Sequence, residues 1–393
     1  MKTADIVIIG GGMVGLALAG LLAHSDCSIK IIEQSAPKLD GSISNRVSAI
    51  NATSQIMLTE IGAWQKIPAE RLSPYDQMFV WEKDSFAKIH FNNNDSAIKQ
   101  LGLEQLGFII ENNQIQSALW QQVSQQKNVE IILSHPKSLG VSENGAFFTL
   151  ENGDMLSTKL VVGADGANSW VRNQAKIPLI SRDYQHSALV CNVKTTEPHQ
   201  RMARQIFAAD SILAFLPLPE QKMCSIVWSL PPEKAKKLVS CDEREFNSAL
   251  SIAFDNQLGL TELQSERAIY PLVARYSRDF AKERLALIGD AAHTIHPLAG
   301  LGVNLGFADA ITLAQEIKQN LLLGKDIGEY RHLRRFERIR KLEAVKILTA
   351  MEGLKQLFSG GHPVKKLVRG IGLSLTNQNA LVKKLLIEQA VGI

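Results

Sequence analysis

Cysteine is scarce in this sequence. Four occur in 393 residues, Cys27, Cys191, Cys224 and Cys241, with no C-x-x-C pair and no zinc-ligand spacing. That excludes a disulfide-stapled scaffold and gives no metal site, and it fits thiols kept as small core groups in a reducing compartment. A charge excess of one sign is also missing: 43 Lys+Arg against 39 Asp+Glu leave a formal +4. With no reading module beside it, that charge excludes a nucleic-acid partner. Long apolar runs are absent too. The best candidate, Ile6 to Ala23 behind Lys2, carries Gly10-Gly11-Gly12 in its middle and has no clear cleavage pattern after it. The expectation is therefore no export and no transmembrane helix. Repeats and low-complexity tracts do not stand out, and 45% hydrophobic with 21% charged residues is the balance of a globular protein.

The small net charge hides an asymmetry. Residues 331–393 hold 13 Lys/Arg and 4 Asp/Glu, while the rest of the chain carries 30 against 35. A weakly acidic body with a basic C-terminal end points to an anionic surface near that end.

What is present is most legible at the start. Ala4 to Ile9 is a β-branched run of the buried parallel-strand type, followed at once by Gly10-x-Gly12-x-x-Gly15 and a helical stretch from Met13. A second such run, Ser28 to Ile32, ends in Glu33, 23 residues after Gly10. This is the dinucleotide fingerprint in its required context of strand, turn, helix, strand and acid. Gly10 permits the tight turn, Gly12 lets the backbone approach a pyrophosphate, and Gly15 lets the helix lie against the strand. Glu33 is placed to accept from ribose hydroxyls.

Two further glycine–acid turns end apolar runs: Gly163-Ala164-Asp165-Gly166, continuing to Arg172, and Gly289-Asp290-Ala291-Ala292-His293. Ligands of open parallel sheets sit outside the carboxyl ends of the strands, so all three turns can line one long crevice. A nicotinamide-only site has no use for the third turn; an extended flavin does. Gly300-Leu301-Gly302-Val303-Asn304 reads as a loop entering a helix whose positive end faces a flat ring. Residues 183–270 change texture to strand-like pieces (Ala188–Val193, Ile212–Leu218, Cys224–Leu230) and a helical pattern over 232–257.

These motifs resemble the group A flavoprotein aromatic hydroxylases, built on the para-hydroxybenzoate hydroxylase fold. The stretch from Gly289 to Gly306, Phe108-Ile-Ile-Glu-Asn112 and the C-terminal pattern around Gly372 and Gly392 are similar to the ubiquinone-biosynthesis ring hydroxylases, nearest those acting on demethoxyubiquinol-type intermediates. The resemblance implies an α/β fold: a Rossmann-like FAD-binding domain with a parallel sheet (1–75, 101–182 and 271–335), interleaved with a mostly antiparallel β-sheet substrate domain (76–100 and 183–270), and C-terminal helices over 336–393. It implies an FAD monooxygenase in which NAD(P)H reduces the flavin, O2 forms a C4a-hydroperoxide, and the ring of a polyprenylated phenol or benzoquinol is hydroxylated. A hydroxylase of a small soluble aromatic and a non-catalytic FAD-bound assembly subunit are the alternatives.

By the same resemblance Gly10, Gly12, Gly15, Glu33 and Arg46 face the ADP half of FAD, and Asn112 touches the flavin. Asp165, Gly166 and Arg172 serve FAD and the pyridine nucleotide, and Gly289 with Asp290 holds the ribityl chain. Pro297, Gly300, Gly302, Val303 and Asn304 cradle the ring. Pro297 and His296 are the candidates for a catalytic role, with no base assigned. Phe215, Leu216, Pro217 and Trp228 are candidates for lining the substrate pocket. The basic apolar C-terminal segment (Lys365, Lys366, Arg369, Leu381, Lys383, Lys384) suggests reversible docking on an anionic leaflet, hence a cytoplasmic protein peripheral to the inner membrane, with other biosynthetic proteins as further contacts.

Overall fold

In the computed structural model, which describes residues 2–39, 41–86, 88–93, 102, 104–294 and 302–358, the chain opens with strand β1 (Lys2–Ile9), helix α1 (Met13–Leu21) and strand β2 (Ile29–Glu33). Next come β3 (Val47–Ile50), α2 (Ala52–Ile61), β4 (Ser73–Tyr75), β5 (Gln77–Glu82), β6 (Lys88–Asn92), β7 (Gly107–Glu111) and α3 (Asn112–Val123). Strands β8 (Val129–Leu133), β9 (Pro136–Ser142), β10 (Gly145–Leu150) and β11 (Met155–Gly163) lead to the short α4 (Trp170–Gln174). The next stretch runs β12 (Leu179–Thr195), β13 (Met202–Phe207), β14 (Ile212–Pro217), β15 (Met223–Leu230), α5 (Pro232–Ser240) and α6 (Glu243–Ala253). The described chain closes with β16 (Thr261–Leu263), β17 (Ala268–Ser277), β18 (Ala281–Lys282), β19 (Leu285–Leu287), β20 (His293–Thr294), α7 (Gly302–Leu322) and α8 (Tyr330–Phe358).

The first sheet has the order β18-β19-β11-β1-β2-β8, parallel from β19 to β8. Strand β10 pairs with the first half of β11 and β19 with its last three residues. Ile6, Val7 and Ile8 of β1 and Val161 and Val162 of β11 have no exposed surface. Strands covered on both faces need no polar alternation, which is why they read as continuous β-branched runs. Helix α1 is buried from Gly15 to Gly20 and packs between α3 and α7, so it too is apolar all round.

The second sheet, of nine strands, has the order β20-β17-β12-β15-β14-β13-β5-β6, with β16 beside β12; every pair is antiparallel except β13 with β5. It runs on past residue 270 through β17 and β20. Helices α5 and α6 cover one of its faces through Ala235, Phe246 and Leu250. A three-stranded sheet, β3-β7-β4, lies between the two. The architecture is the α/β one expected from the sequence.

Two local expectations change. The helical pattern over 232–257 is two helices, because the Asp242 carboxylate accepts from the Glu245 N–H and caps a new helix there. Strands β13 and β17 are not among the expected ones. Among the described residues, no helix is long and apolar enough to cross a membrane.

Candidate active site

Register brings the three glycine–acid turns to one level. Ile9 pairs with Gly163, and Gly163 with Leu287. Past those pairs the ladder continues for one more bond: Ala164 N–H donates to Ile9 O at 2.8 Å, Ile288 N–H to Gly163 O at 3.0 Å, and Gly10 N–H to Ile32 O at 2.9 Å. Four strand ends are thus locked side by side, and the turns that follow them open at the carboxyl edge of the sheet.

The first turn is built for close approach. Gly10 has φ +109°, and a Cβ there would lie 2.4 Å from the carbonyl oxygen of Ala164; a Cβ on Gly15 would lie 2.1 Å from the oxygen of Gly10. Helix α1 starts with no side-chain cap and no acid in its first turn, so its leading N–H groups have no protein anion to satisfy them. Above Gly12 there is nothing within 4 Å of where a Cβ would sit. Glu33 accepts from Gly11 N–H at 2.5 Å and Gln34 N–H at 2.8 Å, which holds its carboxylate at the rim. Gln116 of α3, not foreseen from the sequence, steadies the same loop by donating to Gly11 O at 2.9 Å.

In the second turn Asp165 accepts at Oδ2 from Val171 N–H at 3.1 Å, while its Oδ1 is buried with no hydrogen-bond partner. Burial pushes the Asp165 carboxyl above its ordinary pKa, against hydrogen bonds from the Ser169 side chain and from backbone N–H groups that include Val171 and Trp170. Gly166 follows at φ +79° with open space before it. In the third turn Asp290 reaches solvent, but protein closes around its carboxyl. That desolvation raises its pKa, opposed by the charges of His293, Arg46 and Arg275 and reinforced by Asp309. Arg46 is exposed, its guanidinium 5.6 Å from the centre of the Tyr270 ring, and its carbonyl accepts from Asn112 N–H. Asn112 starts α3 and accepts at Oδ1 from the Ser48 hydroxyl at 2.7 Å. Glu111 beside it is buried, accepting from Ser44 N–H at 2.6 Å and from Arg71 at 3.1 Å, which fixes the Arg46 loop.

These features fit an adenine dinucleotide that carries a flavin. There is a free helix start with room for a diphosphate, a rim carboxylate for a ribose, and an orphaned buried carboxylate oxygen wanting a hydroxyl donor. The comparisons agree. Residues 3–344 match the family described as FAD binding domain. The chain belongs to this family. Among its relatives are the ubiquinone biosynthesis monooxygenase COQ6 of Xenopus tropicalis, 34% identical over 97% of this chain and 91% of that protein, and the 3-demethoxyubiquinol 3-hydroxylase of Escherichia coli K12, 32% identical over 100% and 99%. Among solved structures, the p-nitrophenol 4-monooxygenase PnpA of Pseudomonas putida shares the fold at TM-score 0.79, 18% identity and 100% and 99% coverage. PqsL of Pseudomonas aeruginosa does so at 0.78, 19% identity and 95% and 100% coverage. The chain is an FAD-dependent oxidoreductase.

Several residues expected to touch ligand in this flavoprotein also hold the frame. Arg172 is 3% exposed and donates to the carbonyls of Ala291 at 3.0 Å and Ala167 at 2.8 Å; it braces the second turn against the third. Asn304 is bonded to protein at both ends of its amide: Nδ2 donates to Ala49 O at 2.7 Å, and Oδ1 accepts from Ser54 Oγ and Asn51 N–H. It therefore ties the start of α7 to β3 and α2. Gly302 and Val303 begin α7, half-buried, with open space at Gly302. His296, Pro297 and Gly300 lie outside the described residues.

The substrate-wall candidates separate by strand parity. Phe215, Pro217 and Trp228 point to the face of the nine-stranded sheet that α5 and α6 cover. Phe215 is 1% exposed and stacks 3.7 Å from Phe254, and Trp228 belongs to the same cluster. They are core. Leu216 points the other way and packs on Val47, Ala49, Ile109 and Tyr75 of the three-stranded sheet. Its neighbours on that inner face are Ala214, Val227, Val190 and Asn192, and Asn192 donates to Ile43 O and Ser44 O of the Arg46 loop. The wall that faces the cofactor side of the molecule is therefore this one.

Proposed function

We propose that the chain hydroxylates the ring of a polyprenylated phenol or benzoquinol intermediate in ubiquinone biosynthesis, nearest to demethoxyubiquinol hydroxylation, with O2 and reducing equivalents from NAD(P)H. The observation that carries this reading is the set of three turns at one carboxyl edge, with an apolar sheet face tied to the Arg46 loop through Asn192. The full-length relatives named for ubiquinone biosynthesis support the choice of pathway.

In this reading the N–H groups at the start of α1 hold the diphosphate of FAD, Glu33 a ribose, and Asp290 and Asp165 further hydroxyls of the cofactor. Bound FAD supplies electron acceptance from the donor and activation of oxygen. The remaining work belongs to the protein. The start of α7 places a positive helix end beside the cofactor without an acid in its first turn. Val190, Ala214, Leu216 and Val227 keep water from the reacting ring, and exclusion of water strengthens every fixed dipole in the site. A substrate domain that takes in the whole second sheet, on to β17 and β20 past the expected boundary at 270, with substrate bound between its inner face and the crevice, is part of the proposal. Deleting the gene and identifying the accumulated quinone precursor by mass spectrometry tests it: a precursor lacking one ring oxygen is expected, and an unchanged quinone profile defeats the pathway assignment.

A polyprenyl tail implies delivery from a membrane. On α8, Ile339, Leu342 and Val345 are 38%, 57% and 45% exposed, among Arg331, Arg335 and Lys346, which pair with Glu329, Glu316 and Glu343. An apolar stripe flanked by cations suits an anionic membrane surface. The C-terminal lysines named above lie outside the described residues. Leu342→Glu with Val345→Glu is expected to abolish sedimentation with liposomes containing anionic lipid while leaving FAD content unchanged. Retained binding at low salt counts against membrane docking.

A further inference from the structure

Arg340 lies in the middle of α8, in none of the crevice turns, and is 5% exposed. Its Nε donates to Asp309 Oδ1 at 2.6 Å and its Nη2 to Leu305 O at 3.3 Å. Asp309, on α7, has no exposed surface. Its second oxygen accepts from the Gly289 N–H at 2.8 Å and lies 2.7 Å from His293 Nε2. One buried carboxylate therefore grips both ends of the Gly289–His293 turn, and α8 supplies its countercharge. Burial pushes the Asp309 carboxyl up, but His293 and Arg340 more than offset this and hold it below the ordinary range. An ionised carboxylate only accepts, so His293 must carry its proton on Nε2.

We propose that Arg340 is a positioning residue for the cofactor: by anchoring Asp309 it fixes the Gly289–Asp290 turn. A guanidinium does not lose its proton, so the countercharge is permanent. Without it, one oxygen of a fully buried carboxylate would be left unpaired. The other charged groups around the turn are already committed or stand on the solvent side. Asp290, Arg46 and Arg275 face the crevice. On α8, Glu337 accepts from Phe280 N–H and the Tyr330 hydroxyl, and Lys341 donates to Arg278 O. Eight residues beyond Arg340, Leu348 packs against the cluster of Val190 and Val227, so the same helix touches the substrate wall and the cofactor turn.

This rests on the assignment of the Gly289–Asp290 turn to FAD. The test measures FAD affinity of the full chain by quenching of flavin fluorescence, beside the melting temperature of the apoprotein. Variants are Arg340→Met, Arg340→Lys and, as control, Lys341→Met. In Arg340→Met one oxygen of the buried Asp309 loses its partner and the Gly289–Asp290 turn loses its anchor. FAD affinity then falls about 10- to 100-fold, the range known for orienting partners in metal sites. Arg340→Lys keeps the charge and recovers most of that affinity, and Lys341→Met matches wild type. A wild-type affinity for Arg340→Met, or an equal loss in Arg340→Lys, overturns the proposal. Should Arg340→Met not fold, a large loss in Arg340→Lys overturns it as well. A wild-type chain that binds no FAD at all sinks the cofactor assignment instead.

Discussion

Gly12→Val is expected to leave the apoprotein as stable as wild type and to abolish its hold on FAD. The backbone at Gly12 is extended, at φ −74° and ψ 179°, which any residue adopts, and a Cβ there meets nothing within 4 Å. Replacing one poor N-cap by a worse one shifts the melting temperature by no more than about 3 °C. The branched side chain would, however, occupy the space in front of the α1 N–H groups, where the diphosphate belongs. Losing two charge-assisted hydrogen bonds there costs about 3 kcal/mol, or roughly 100-fold in affinity. Gly15→Ala provides the contrast, because its Cβ would strike the Gly10 carbonyl at 2.1 Å and the apoprotein itself must melt earlier. Calorimetry with and without added FAD separates the two. Normal FAD uptake by Gly12→Val would mean the cofactor enters elsewhere.

The difference between these two glycines also marks what the sequence could disclose. G-x-G-x-x-G, Glu33 and the two later glycine–acid turns are local: each follows a run whose β-branched composition announces a buried strand, and parallel order then brings the turns to one edge. The roles of Arg172 and Asn304 are not local. Both sit beside cofactor motifs, and only the fold reveals that they also bond to Ala291 and Ala167, or to Ala49, and so brace the frame. Asp309 and Arg340 leave no motif at all, since an acid within an apolar helix and an arginine within a basic one look like surface residues until α7 and α8 are packed together. Gln116 is hidden in the same way. The capping acid that splits 232–257 was readable, as Asp242-x-x-Glu245 is a local start signal.

The substrate wall was the hardest feature to read, and it yields the second large effect. Phe215→Ala should destabilise the protein by about 3–5 kcal/mol, the usual cost of emptying a filled aromatic site, while leaving the Michaelis constant for the ring substrate unchanged. Ala214→Trp, one residue away, should do the reverse: a folded, FAD-loaded protein with little hydroxylated product. Successive strand residues face opposite sides, so a one-residue step exchanges core for cavity. The alternation Ile212 to Pro217 contains apolar residues on both faces, and hydrophobicity alone cannot say which face a helix pair will cover. The structure decides it by placing Phe246, Leu250 and Phe254 against Phe215, while Ala214 lines up with Gln205 and Val227 on the side away from those helices. Chemical denaturation and product analysis on the two variants measure the assignment directly. If Phe215→Ala raised the Michaelis constant without loss of stability, the cavity would lie beneath α5 and α6, and the inner face would be the packed one.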